Sequence, residues 1–379
     1  MIKLGMVGAG FVADLYMRSF ATFPDIFPIA VYDVHRERQD QFCAHWRLTG
    51  VDSLEAVFAA VGRGGIVLNL TNPASHFEIS RKSLEAGLHV YSEKPMALRL
   101  EDAKALHALA AESGLLIASA PCSFLSESAQ TVAAAIRLGV LGKTRVVYAE
   151  LDDDFIAKAP YQKWRSVSGA PWPAEDEFNV GCTLEHAGYY LTWLIAMFGS
   201  VRSVVAASAC VAPDQMKTEA PAPDFSVATL FFECGVVARL TCSILAPRNR
   251  SLLIAGDNGL LELDDCWDNA AAVRFRRRFS LRRRLFNAPI ARRLRLTKPT
   301  HPMLSRLGPA AMNFALGPKE MLDALTEARQ PRVSADLALH LTEVTLAIQS
   351  SGEAAGAQRM QTRCDVIEPM PWARTLRGI

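Results

Sequence analysis

The chain has 379 residues, half of them apolar, and a net charge of +2; one hydrophobic core rarely sustains that length, so two domains are expected. Every apolar run breaks well before the roughly 18 residues of a membrane span, and the N-terminus enters a glycine turn without a signal-peptide core, so a cytoplasmic protein is expected. The eight cysteines are scattered with no C-x-x-C pair, which argues against a disulfide framework and against structural zinc, and no metal site is expected.

Residues 1–121 alternate short β-rich runs with helix-period stretches, the pattern of successive βαβ units on a parallel, doubly wound sheet. The candidate strands are 2–7, 29–34, 65–71, 89–93 and 115–120. Ser53 is placed to cap the helix carrying Leu54, Val57, Phe58 and Val61, and Gly87 to end the one beginning near Ala74. After Pro121 the pattern changes. A helix over 125–138 and a strand over 145–152 precede a long irregular stretch to Val180 and a helix over 182–198. Strand-like runs follow at 203–211, 226–233, 236–245, 251–255 and 260–263, with a hairpin corner at Cys234-Gly235. Two helices, 319–328 and 335–350, precede an irregular tail. The expected architecture is an α/β domain over 1–121 and an α+β domain over 122–379 with a large, mostly antiparallel open sheet.

The turn Gly8-Ala9-Gly10-Phe11-Val12-Ala13 follows the first strand and opens a helix, the context in which a glycine-rich pattern points to a dinucleotide. Gly8 permits a tight turn, Gly10 lets backbone approach a pyrophosphate, Ala13 keeps helix close to strand, and the helix N-terminus offers unpaired amides. Asp33 ends the second strand at the spacing of a carboxylate that binds a ribose diol, favouring NAD, while Arg36 and Arg38 leave NADP open. Lys94, in Glu93-Lys94-Pro95, ends another strand on the sheet edge where such folds bind ligands; an ammonium there can polarise a reacting oxygen. His186 and Tyr190 stand four residues apart on the next domain's helix and share a face, so either can exchange a proton. Taken singly, each has a bland reading: a solvated lysine, a packed tyrosine, a satisfied core histidine.

Residues 274–298 hold eleven basic residues and no acidic one, interleaved with Phe and Leu. Such a stretch suits an anionic membrane surface or the phosphates of a substrate, and equally a solvated insertion or an oligomer-contact arm. No recognition motif for nucleic acid accompanies it.

Together these residues, with Leu70-Thr71-Asn72-Pro73, His76, the run from Ala86 to Pro95, Trp164-Arg165 and the run from Ile254 to Gly259, resemble the family of glucose-fructose oxidoreductases, inositol dehydrogenases and rhizopine-catabolism proteins, Gfo/Idh/MocA. The resemblance spans nearly the whole chain and implies a Rossmann domain plus a second domain whose open sheet serves in oligomer contacts, hence a homodimer or homotetramer. It implies that Thr71, Asn72, Pro73, His76 and Glu93 join Gly8 to Ala13, Asp33 and Lys94 around the dinucleotide, with Lys94 also meeting substrate. The family's helix reads Asp-x-Gly-x-His where this chain has His186-Ala187-Gly188-Tyr189-Tyr190, so Tyr190 takes the histidine position and is the first candidate for proton transfer. Asp152, Trp164, Arg165 and His186 are the candidate substrate residues. The implied activity is hydride transfer between nicotinamide and a secondary alcohol of a sugar, cyclitol or sugar derivative. Two other readings stand beside it: an enzyme that retains its NAD and uses transient oxidation for glycoside cleavage or epimerisation, and a non-catalytic dinucleotide-dependent sensor.

Overall fold

The computed structural model describes residues 2–219, 221–304 and 311–378. Five short strands, β1 (Leu4–Val7), β2 (Pro28–Tyr32), β3 (Ile66–Asn69), β4 (His89–Ser92) and β5 (Ile117–Ser119), form a parallel sheet in the order β2-β1-β3-β4-β5. Their continuous apolar runs suit a sheet covered on both faces, and β1, β3, β4 and β5 are buried along their whole length. The helices between them are α1 (Phe11–Phe20), α2 (Arg36–Trp46), α3 (Leu54–Val61), α4 (His76–Glu85) and α5 (Leu100–Ser113). The Ser53 hydroxyl accepts from Ala56 N at 3.1 Å, the expected cap of α3. Strand order reverses at β1, so the loops leaving the carboxyl ends of β1 and β3 diverge and open a crevice there.

The second half begins with α6 (Glu127–Arg137), capped by Ser126, and β6 (Thr144–Asp152). Then come α7 (Ala174–Val180), α8 (Gly188–Phe198), β7 (Val201–Ala209), β8 (Phe225–Phe232), β9 (Val237–Ser243), β10 (Leu252–Gly256), β11 (Gly259–Leu263), β12 (Arg274–Leu281) and β13 (Arg284–Asn287). They make a ten-stranded sheet in the order β13-β12-β11-β10-β6-β9-β8-β7, completed by Gln358–Arg359 beside β7 and Arg292–Arg293 beside β12. Only β6 and β9 pair in parallel. Period-two patterning shows in β8: Ser226, Ala228, Leu230 and Phe232 are buried, while Phe225, Val227, Thr229 and Phe231 on the opposite face are half-buried.

Three segments differ from the sequence expectation. The stretch before Val180 is not wholly irregular, because α7 and two single 3-10 turns form within it. The helix expected over 182–198 is two pieces, a π turn at Thr183–Ala187 and then α8. The basic segment is not wholly solvated: β12 continues the sheet, with Phe275 buried and Arg276 paired to Glu262. The chain end also reconnects the two sheets. From α9 (Leu316–Thr326) the chain packs against β4, and α10 (Ala335–Gln349) lies against α5 and β5 on one side and β7 on the other. Gly317 is needed for this, since a Cβ there would lie 2.2 Å from the Tyr91 hydroxyl. Among the described residues no helix is long and apolar enough to cross a membrane.

Candidate active site

A cavity of about 760 Å³ opens at the carboxyl ends of the first sheet and draws its lining from both halves. Gly8 starts it: φ is +99°, its N–H donates to Tyr32 O at 2.8 Å, and a Cβ would sit 2.5 Å from Leu70 O. Gly10 caps α1 without offering a side chain, and a Cβ there would meet nothing within 4 Å, so its open side is the cleft itself. Phe11 and Val12 line the cavity, whereas Ala13 is fully buried behind it and serves the helix-strand contact. Asp33 also faces the cavity. Its Oδ2 accepts from Ala9 N and its Oδ1 from His35 N, both at 2.8 Å, and Arg38 Nη1 stands 3.7 Å from Oδ2. Free first-turn amides beside an open glycine, and a carboxylate held by backbone at the strand end, fit the pyrophosphate and ribose of a dinucleotide.

Thr71, Asn72, Pro73 and His76 continue this wall. The His76 ring nitrogens lie 2.9 Å from Thr71 O and 2.7 Å from Pro95 O, so the imidazole joins the loop after β3 to the turn after β4. Burial lowers its pKa. Glu93 lines the cavity with both oxygens already engaged: Oε1 accepts from Tyr16 OH at 2.7 Å and Oε2 from Lys94 N at 3.0 Å. Its pKa is raised by burial, so it anchors the turn rather than presenting a free charge.

Lys94 reaches across the cleft to form an ion pair with Glu185 of the π turn. Burial pulls the lysine pKa down, but the carboxylates of Glu185 and Glu177 outweigh it and the net shift is upward, so the amine stays an ammonium. Burial likewise raises Glu185, yet Lys94 prevails and the net shift is downward, while Glu177, buried beside Glu185, moves up. In this cluster of three, the ammonium of Lys94 favours the charged form of Glu185, while burial and the neighbouring Glu185 disfavour that of Glu177. His186 and Tyr189 complete this corner. His186 Nε2 is 3.9 Å from Asp153 Oδ2, and Nδ1 is buried with no partner among the described residues. Burial lowers the His186 pKa, leaving a neutral imidazole, and raises that of Tyr189, leaving a phenol.

Tyr190 is not in the cavity, contrary to the sequence expectation. Its hydroxyl donates to Arg250 O at 2.5 Å inside the core, and its ring packs at 5.6 Å, edge on, against Trp193. The helix opens in a π turn at Thr183–Ala187, and Tyr190 lies fully buried on the side that faces the core. Tyr189, one residue earlier, lines the cavity instead. A sequence signal for this existed, because Glu185-His186-Ala187-Gly188-Tyr189 also reads acid-x-small-x-aromatic, one residue earlier.

The substrate candidates divide in the same way. Trp164 and His186 line the cavity. Asp152 stays on β6 beside it, and its neighbour Asp153 enters instead. Arg165 turns outward, donating to Gln162 O at 3.0 Å and Trp164 O at 2.9 Å. Besides Arg38 near Asp33, the guanidiniums of the lining are Arg248 and Arg250. Arg250 is buried, ion-paired with Asp153 and Asp265, and lies 3.4 Å over the Trp267 ring. Tyr161, Trp164, Trp172 and Phe178 form an edge-to-face cluster along the 153–178 segment, with Trp164 and Trp172 at 5.2 Å. None of residues 274–298 lines the cavity, so the arginine-rich segment does not receive substrate phosphates there.

Residues 2–120 match the family model described as an oxidoreductase family with an NAD-binding Rossmann fold, and residues 129–262 match the GFO/IDH/MocA C-terminal domain. A UDP-N-acetylglucosamine 3-dehydrogenase of Acidithiobacillus ferrooxidans is 29% identical over 117 residues, 31% of this chain and 36% of that protein. An uncharacterized Bacillus subtilis oxidoreductase, YfiI, is 26% identical over 263 residues, 64% of each chain. The chain thus spans between about a third and two thirds of these relatives' length. Among solved structures, the Bordetella pertussis WlbA dehydrogenase in complex with NADH and UDP-GlcNAcA superposes with a TM-score of 0.71 at 20% identity, covering 95% of this chain and 98% of that one. An aldose-aldose oxidoreductase of Caulobacter crescentus, complexed with glycerol, has a TM-score of 0.71 at 17% identity, covering 95% and 99%.

Proposed function

Since the chain belongs to the Gfo/Idh/MocA oxidoreductases and is an NAD-binding enzyme of that family, we propose that it transfers a hydride between nicotinamide and a secondary alcohol of a sugar derivative. The observation that carries this reading is the meeting of Lys94, from the strand ends beside the glycine turn, with Glu185, His186 and Tyr189 of the other half in one cavity. Bound NAD supplies the hydride acceptor or donor. Lys94, kept charged by Glu185, binds the reacting oxygen and stabilises the negative charge that grows on it as the alcohol loses its proton. The Tyr189 phenol takes the second hydrogen bond to that oxygen. Neutral His186, which lines the cavity beside them, is the proton acceptor, and the Asp153 carboxylate 3.9 Å from its Nε2 steadies the imidazolium that results.

Trp164, Trp172 and Trp267 offer apolar ring faces, and Arg248, Arg250 and Asp153 offer polar ends, a combination suited to a polyhydroxylated ring. The likeness to a UDP-N-acetylglucosamine 3-dehydrogenase supports the sugar class. Assembly into a homodimer or homotetramer is supported by the outer sheet face, where Tyr148 and Val205 are 41% and 43% exposed. The test is a thermal-shift comparison of NAD with NADP, followed by nucleotide sugars, sugar phosphates and polyols in the presence of the stabilising dinucleotide, with reduced-nicotinamide absorbance read on each hit. Absorbance growth with a sugar derivative supports the reading; stabilisation by sugars with no absorbance change on any of them overturns it.

A further inference from the structure

The β12–β13 hairpin takes no part in the cavity and lies at the other end of the sheet. β11 begins at Gly259, paired with Arg277, and β12 runs beyond it from Phe279 to Leu281 before returning in β13, a projection of roughly 10 Å. Across the hairpin Phe279 faces Phe286, with rings stacked at 6.0 Å, and Leu281 faces Arg284. These side chains lie in solvent: Phe279 and Phe286 are 40% exposed, Leu281 59% and Leu285 64%. At the base, Arg274 and Arg276 are neutralised by Asp264 and Glu262. Further out, Arg277, Arg282, Arg283 and Arg284 are exposed and have no carboxylate partner among the described residues.

We propose that this hairpin is a docking surface for an anionic lipid bilayer, its aromatic and leucine side chains entering the interface while the arginines meet lipid phosphates. Charge at a sheet edge by itself has another use, since it deters edge-to-edge pairing of strands. That use calls for no exposed Phe or Leu, and here four of them, Phe279, Leu281, Leu285 and Phe286, flank the unpaired cations. A second copy of the chain is a poorer occupant, because a two-fold contact through the hairpin would set arginine against arginine. Apolar groups beside unpaired guanidiniums fit a surface that has both a hydrocarbon edge and a dense negative charge.

The experiment is co-sedimentation of the full-length chain with vesicles of phosphatidylcholine alone and of phosphatidylcholine mixed with phosphatidylglycerol, at low and high salt. The protein is expected to pellet with the mixed vesicles only and to be released as salt screens the contact. Replacing Arg282, Arg283 and Arg284 by Gln is expected to lower the partition coefficient roughly a hundredfold, with the NAD-induced thermal shift unchanged as evidence of folding. Phe286→Ser is expected to weaken vesicle binding while leaving retention on a heparin column intact. The proposal is overturned by absence of pelleting, by equal pelleting on uncharged vesicles, by pelleting that ignores the arginine replacements, or by vesicle binding unchanged in Phe286→Ser, which would mark a general polyanion site. A changed oligomeric state in the arginine variant without changed vesicle binding would reassign the surface to contact between copies.

Discussion

The wall of the cleft made by the ends of β1 to β4 grips through backbone, whereas the facing wall, the π turn and the 153–178 segment, acts through side chains. On the first wall the features that matter are a left-handed glycine, an open glycine at a helix start and a carboxylate held by two amides. On the second they are an ion pair, a neutral histidine, a phenol and indoles packed edge to face, several of the titratable groups carrying shifted pKa values because they are buried together. A backbone wall tolerates sequence change as long as its glycines persist; a side-chain wall changes its chemistry when one residue moves to a different helix face. The cofactor and the substrate are thus governed by different physics across a few ångströms.

The largest expected break of this comparison is at Lys94, the one group that spans both walls. Lys94→Met should slow single-turnover hydride transfer by about 10²–10⁴-fold, read by stopped-flow absorbance, while NAD binding persists; an unchanged rate removes the lysine from the chemistry. Next, Tyr189→Phe should lower that rate by about 10²-fold. Tyr190→Phe should leave it intact and cost about 1–3 kcal/mol of stability by orphaning Arg250 O. The reverse result would place Tyr190 rather than Tyr189 at the reacting oxygen. Gly10→Val sharpens the other wall: its Cβ meets no protein atom, so the unfolding temperature without ligand should hold while the NAD-induced shift disappears. A retained shift would mean that the pyrophosphate lies elsewhere.

The smallest effect concerns α10, which belongs to neither wall and packs on both halves. Burial lowers the His340 pKa to about 4, and its Nε2 accepts from Val201 N at 2.9 Å. The unfolded histidine titrates near 6.5, so between those values the unfolded chain binds the extra proton. Stability from this group is complete above about pH 6.5 and declines as pH falls toward 4, by about 2 kcal/mol between pH 7 and pH 5. Urea denaturation at both pH values should show that loss in the natural chain and a smaller one in His340→Gln; equal slopes would place the imidazole in contact with water.

Most of the first sheet could be read directly because its signals are local. An apolar run, a glycine turn and the Ser53 cap each depend on neighbours in sequence, and the five strands stand within a few residues of the expected positions. The ends of β3 and β5 fell short, since pairing stops where the partner strand stops. In the second half, strand existence was legible from period two, but the basic segment was not. Its charge masked an alternation in which Val273 and Phe275 turn inward, and a strand so polar is held by its neighbour β11 rather than by its own burial. The side-chain wall was least legible. Arg248 and Arg250 approach the cleft from the start of β10, far in sequence from Lys94, and nothing local distinguishes them from Arg165.

What the chain sequence determined alone is the class of the protein: two sheets, a dinucleotide turn and a lysine at a strand end, because these rest on contacts between residues close along the chain. Which tyrosine faces the substrate, which aspartate and which arginines join it, and what becomes of the arginine-rich segment were decided only in three dimensions. There the 183–187 turn packs against β9 and α10, and the helix that follows turns Tyr190 into the core and leaves Tyr189 facing the cleft.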